Sequence, residues 1–117
     1  MMQKKLGALS PNQALTYMKE TKDLLIVDVA AEKWFDKKHF LEAVNIPIES
    51  LTKNEEINLY EQLPEKRPVI LHCRSGMIVP AAYATLAKVR ADIPEVAYID
   101  GAPLFEEYNS WKLGKTK

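Results

Sequence analysis

Along the chain, short apolar runs alternate with longer stretches in which apolar positions recur at helical spacing. The run Leu24-Leu25-Ile26-Val27-Asp28-Val29 is almost unbroken, with one acid near its end. That pattern predicts a strand buried on both faces, as in a parallel sheet. Ala43-Val44-Asn45-Ile46-Pro47 predicts a second, shorter strand closed by its proline. Pro68-Val69-Ile70-Leu71 predicts a third, and Val96-Ala97-Tyr98-Ile99-Asp100, ended by Gly101, a fourth.

Helices are predicted between these runs. Ser10 is placed to cap a helix, with Pro11 at its first position and Gln13 completing a capping box. Ala14, Leu15 and Met18 form its apolar stripe, and the polar residues 19–23 end it. Residues 31–38 predict a short helix with Trp34 and Phe35 turned inward. Thr52 and Glu55 form another capping box, before a helix that buries Ile57 and Tyr60 and stops ahead of Pro64. From about Val79 to Val89, the spacing of Val79, Ala82, Tyr83, Leu86 and Ala87 is amphipathic. Leu104, Phe105, Tyr108 and Trp111 make a core stripe on a terminal helix, and residues 112–117 are expected to fray. Strand–helix alternation predicts an α/β fold, a parallel sheet covered by helices on both faces.

The composition narrows the possibilities. A chain of 117 residues with 47% hydrophobic and 27% charged residues reads as one globular domain, 1–117, its core spanning about 6–112. Sixteen basic and sixteen acidic residues cancel without a basic stripe, which speaks against nucleic acid as a partner. No apolar run approaches the roughly 20 residues of a membrane span, and the first residues lack an apolar secretion core. A single cysteine cannot form an internal disulfide, and an exposed free thiol suits a reducing compartment. The expected location is therefore cytoplasmic, with no membrane association.

The candidate chemistry lies in His72-Cys73-Arg74-Ser75-Gly76-Met77. Cys73 follows the third strand and precedes a helix with Pro80 in its first turn, so it sits on a tight strand-to-helix loop. Such a loop turns backbone N–H groups toward its own hollow, and those groups favour an anion. A thiol held there has its thiolate favoured. Arg74 adds positive charge, and Gly76 supplies backbone angles that other residues avoid. Cys73 is the candidate nucleophile, above an anion-binding loop of Arg74, Ser75, Gly76, Met77, Ile78 and Val79.

Two supporting residues stand nearby. Asp28 ends its strand where open α/β sheets place their ligands. It either orients the active-site loop or holds backbone N–H groups at a turn, and the turn role is favoured. His72 is read as packing at a strand end that could also tune Cys73. His39 is expected to make a structural hydrogen bond. No full ligand cluster supports a metal site.

At this point the residues converge on a family. The chain resembles a single-domain rhodanese, a sulfurtransferase-like protein. Leu25-Ile26-Val27-Asp28-Val29 is similar to the family's LIVDVR strand, and residues 39–47 to its GHIPGAINIP segment. Residues 72–77 resemble the CRSG active-site loop, and residues 96–101, with Trp111 beyond, the LDGGxxxW ending. The resemblance implies a rhodanese-like α/β fold with a central five-stranded parallel sheet flanked by helices. It implies sulfur transfer through a Cys73 persulfide. The donor would be thiosulfate, a polysulfide or a persulfide, the acceptor an external thiol or protein, and no cofactor would be required.

The chain also departs from the family pattern. Ile78 stands where the loop often ends in arginine, Ala30 replaces an arginine after the first motif, and Ala102 replaces a glycine. Phe40-Leu41-Glu42 replaces Ile-Pro-Gly. An apolar rim of Met77 and Ile78 predicts weak turnover of thiosulfate and better use of a bulkier or protein-bound persulfide. Two other classes of function compete. One is a non-enzymatic binding or thiol redox-sensing module. The other is a phosphatase or arsenate reductase of the Cys-x5-Arg type, whose arginine would fall at Val79.

Overall fold

The computed structural model describes residues 2–115. Its strands are β1 (Lys4–Leu9), β2 (Leu25–Asp28), β3 (Val44–Asn45), β4 (Val69–His72) and β5 (Glu95–Ile99). Its helices are α1 (Pro11–Glu20), α2 (Glu32–Lys37), α3 (Lys53–Glu61), α4 (Val79–Val89) and α5 (Phe105–Lys115), with a 3-10 turn at Ile48–Ser50. The strands form one sheet in the order β1-β5-β4-β2-β3, every neighbouring pair parallel. This is the five-stranded parallel sheet implied by the family resemblance.

Alternation along the strands builds two cores. Leu25, Val27, Val69, Leu71 and Val96 face α3 and α4, where they meet Tyr60, Ala82 and Leu86. Ile26, Ile70, Ala97 and Ile99 face α1 and α5, where they meet Ala14, Met18, Phe105 and Tyr108. Because both faces are covered, β2 and β4 are buried at every position. That is why they stand out as continuous apolar runs.

The helix caps form as the sequence predicts. The Ser10 hydroxyl accepts the Gln13 N–H while the Gln13 side chain accepts the Ser10 N–H. Thr52 and Glu55 make the same reciprocal pair. In α3 the buried side chains are Tyr60 and Glu56, joined by a hydrogen bond, whereas Ile57 is only half-buried.

Two further expectations need correction. Trp34 does not face inward: it is 44% exposed, with the ammonium groups of Lys33 and Lys37 over its ring. Helix α2, only six residues long, has no fully buried residue. The C-terminal stretch is helical through Lys115 rather than frayed from Lys112, and Lys112 pairs with Glu42 at 3.6 Å. Residues 116–117 lie outside the described residues.

Strand β1 has no counterpart among the apolar runs. Its sequence, Lys-Lys-Leu-Gly-Ala-Leu, lacks both a run and a clean alternation, and Gly7 sits at a register shift with φ +71°. As an edge strand it pairs through its backbone with β5, and its Leu6 and Leu9 pack against the α1/α5 core. Among the described residues no helix is long and apolar enough to cross a membrane.

Candidate active site

Strand β4 lies in the middle of the sheet and delivers His72, Cys73 and the following loop to its C-terminal edge. The loop covers residues 74–78, and α4 begins at Val79. The N-cap, Ile78, makes no side-chain capping hydrogen bond, and Pro80 lies in the first turn. The first-turn N–H groups are thus free of a side-chain acceptor, which suits the binding of an anion at this end of the helix.

Cys73 is not the exposed thiol expected from the sequence: it is buried, at 2% exposure, and packs with Val79 and Ala82 on the α4 side of the sheet. The Gly76 N–H donates to Cys73 Sγ at 3.1 Å. Gly76 has φ +88°, and a Cβ at this position would lie 2.6 Å from the Gly101 nitrogen. The loop is therefore laid directly against the exit of β5. Gly101 adopts φ +135° in turn, and a Cβ there would press on Pro11 at 3.1 Å. Around the loop Ser75 and Met77 are exposed, while Ile78 is half-buried and Val79 fully buried.

Arg74 turns away from the hollow. Its Nη1 donates to Asp28 Oδ2 at 2.9 Å and its Nη2 to the Lys38 carbonyl at 2.7 Å. The guanidinium also lies over the Phe105 ring, 4.8 Å from the centroid. Asp28 is fully buried and makes two side-chain hydrogen bonds. Its Oδ1 accepts the Ala30 N–H at 3.0 Å, a turn contact, and its Oδ2 anchors the loop through Arg74. Register makes this possible, since Asp28 pairs with His72 across β2 and β4.

His72 is also fully buried, edge-on to Phe40 and Phe105. Its Nδ1 lies 2.9 Å from the Cys73 carbonyl. Its Nε2 has no hydrogen-bond partner and stands 4.0 Å from Asp28 Oδ2. Burial pushes the His72 pKa below the ordinary histidine value, and the attraction of Asp28 opposes this only in part. The ring is neutral at pH 7.

His39 makes a structural contact. Its Nδ1 is 2.6 Å from the Phe35 carbonyl, and its ring stacks on Phe35 at 4.0 Å. Among the described residues, no group of three or more histidine, cysteine, aspartate or glutamate side chains could hold a metal.

Four further residues frame the site and went unremarked as such in the sequence. Asn45 Nδ2 donates to the Asp28 and Ala30 carbonyls, each at 2.9 Å, and so pins the chain beyond β2. Asn109 bridges the His39 carbonyl and the Leu41 N–H. Phe105 carries the Arg74 guanidinium, and Gly101 leaves room for the loop. Asn45 left a visible signal, the lone polar residue of an apolar strand. The others depend on contacts distant in sequence.

Comparison with known proteins agrees with this architecture. Residues 10–109 match the Rhodanese-like domain family, and the chain belongs to that family. A rhodanese-related protein of Thermoplasma volcanium superposes with a TM-score of 0.60 at 15% identity, over 89% of this chain and 91% of that one. A single-domain sulfurtransferase of Saccharomyces cerevisiae gives 0.56 at 17% identity, over 100% and 97% of the two chains. A Rhodopseudomonas palustris protein of unknown function, described as a possible tyrosine phosphatase, gives 0.60 at 18% identity, over 91% and 81%. No match is found among curated proteins.

Proposed function

We propose that the protein is a sulfurtransferase or sulfur carrier that works through a persulfide on Cys73. The observation that carries this reading is the placement of Cys73 Sγ. It sits at the end of a central strand, accepts the Gly76 N–H, and lies beside the uncapped start of α4. The family membership supports the same chemistry.

The steps balance without an outside oxidant. The Cys73 thiolate attacks the outer sulfur of a sulfane donor. A new S–S bond forms as the donor's own sulfur bond breaks, and the leaving group departs with the electron pair: sulfite from thiosulfate, a thiolate from a persulfide. A nucleophilic acceptor, an external thiol or cyanide in an assay, then takes the terminal sulfur and regenerates the Cys73 thiolate. Backbone N–H groups from Arg74 to Val79 stabilise the anionic terminal sulfur. This chemistry needs no cofactor.

The side chains of the loop supply no free cation. Arg74 is committed to Asp28 and Lys38, Met77 is 82% exposed, and Ile78 ends the loop. A dianion such as thiosulfate gains little here, whereas a monoanionic or protein-bound persulfide meets an apolar rim. The reading as a Cys-x5-Arg phosphatase is disfavoured because the arginine position holds Val79, buried in the core. A binding or redox-sensing module would show oxidation of Cys73 without turnover of sulfur.

Intact-protein mass spectrometry tests the proposal. After exposure to thiosulfate or to a polysulfide, Cys73 is expected to gain one sulfur, about 32 Da. Cyanide should remove it, Cys73→Ser should lack it, and the polysulfide should load faster. Absence of an adduct from either donor would refute sulfur transfer, and thiosulfate proving much the better donor would refute the assignment of donor class.

A further inference from the structure

We infer that His72 is a positioning residue: its ring holds the Cys73 carbonyl and thereby aims the Arg74 N–H into the sulfur-binding hollow. The inference rests on the persulfide reading and concerns how the loop is organised to serve it.

Three observations combine. First, His72 Nδ1 is 2.9 Å from the Cys73 carbonyl oxygen. An oxygen has no proton to give, so Nδ1 must carry the hydrogen and donate it. The neutral ring favoured by burial then has its bare nitrogen at Nε2, the atom that lacks a partner. The ring is spent on one hydrogen bond.

Second, the peptide between Cys73 and Arg74 is trans, since no cis bond occurs among the described residues. In a trans peptide the carbonyl and the following N–H point to opposite sides of the chain. The carbonyl faces the His72 ring, which sits with Phe40 and Phe105 on the α1/α5 side of the sheet. The Arg74 N–H therefore points to the other side, where Cys73 packs with Val79 and Ala82.

Third, the Arg74 side chain takes no part in the hollow, because Asp28 and the Lys38 carbonyl hold it. What Arg74 can offer the sulfur is its backbone N–H. The loop also contains Ser75 and Gly76, so the chain just beyond this peptide has conformational freedom. A flipped Cys73–Arg74 peptide would turn a carbonyl oxygen toward an anionic sulfur and remove a donor in the same motion. The hydrogen bond from His72 opposes that flip from within the core.

Substitutions separate positioning from packing. Asn places an amide N–H close to where Nδ1 lies, Leu fills comparable space with no donor, and Gln carries its amide one carbon further out. The measurement is the single-turnover rate of Cys73 sulfur loading from a polysulfide, followed by intact mass, with thermal unfolding recorded for each variant. His72→Asn is expected to load within about threefold of wild type. His72→Leu should load about tenfold more slowly or worse, the loss of roughly one hydrogen bond to an anion, although both variants lose stability. If His72→Leu does not fold, the comparison passes to Asn against Gln, with Asn expected to be about tenfold faster.

A folded His72→Leu, or a Gln variant, loading as fast as Asn would overturn the positioning role while leaving the persulfide reading intact. A wild-type protein that never acquires sulfur on Cys73 would overturn both, so the two failures are distinguishable.

Discussion

Gly76 meets two constraints at once. Its φ of +88° disfavours any side chain, and the Gly101 backbone occupies the space a Cβ would need. Gly76→Ala should destabilise the fold by about 2 kcal/mol or more and nearly abolish sulfur loading, because the N–H that reaches Cys73 Sγ moves with it. Thermal unfolding and intact mass measure the two effects separately. His72 adds a pH dependence. Its folded pKa lies below that of the unfolded chain, so the unfolded state binds the proton first as pH falls. Its contribution to stability is therefore full above about pH 6.5 and is lost as pH drops below that value. The melting temperature of wild type should fall more steeply than that of His72→Asn between pH 7 and 5, and parallel curves would contradict this.

At the scale of elements, the local signals were reliable where local physics decides. Each capping box joins residues three apart and so is written in adjacent sequence. Ser10→Ala should destabilise the protein by about 1 kcal/mol, read as a lower melting temperature, with the sulfur-loading rate unchanged at 25 °C. Helix α2 shows the limit of such signals. Adjacent aromatic residues at 34 and 35 suggest an inward face, yet this six-residue helix buries none of its side chains fully and leaves Trp34 44% exposed. The lysines at 33 and 37 cover part of its ring instead. Strand β1 went unseen for the converse reason. Backbone pairing holds it to β5, and the two side chains it packs on the core, Leu6 and Leu9, stand three apart rather than at a strand's period of two.

For the whole molecule, the sheet joins segments far apart in the chain, and single polar side chains tie their connections. Arg90 is buried and donates to the Tyr60 and Leu63 carbonyls at 2.9 and 2.8 Å, while pairing with Asp92. It thereby closes the end of α3 against the end of α4. Arg90→Leu takes the side-chain donor from the Leu63 carbonyl, leaves the Tyr60 carbonyl only the Leu63 N–H, and should destabilise the fold by about 1–3 kcal/mol. Chemical denaturation measures the loss. The sulfur-loading rate of the folded protein should be unaffected, because the contacts of Arg90 do not include the Cys73 loop.

The sequence by itself determined the α/β class, four of the five strands, both capping boxes and the position of Cys73 on a strand-to-helix loop. These features follow from side-chain periodicity and from residue types at short spacing, which are properties of the chain before it folds. Asp28 could be placed at the end of a strand, but its two roles could not be told apart. Only the parallel register of β2 against β4 brings it beside His72 and within reach of Arg74. Tertiary structure likewise decided that the Arg74 guanidinium serves the scaffold, that Gly76 rests on Gly101, and that His72 holds the Cys73 carbonyl. Each of these depends on which strands are neighbours and how far each is shifted, and hydrogen bonds between distant segments leave no periodic trace in the sequence.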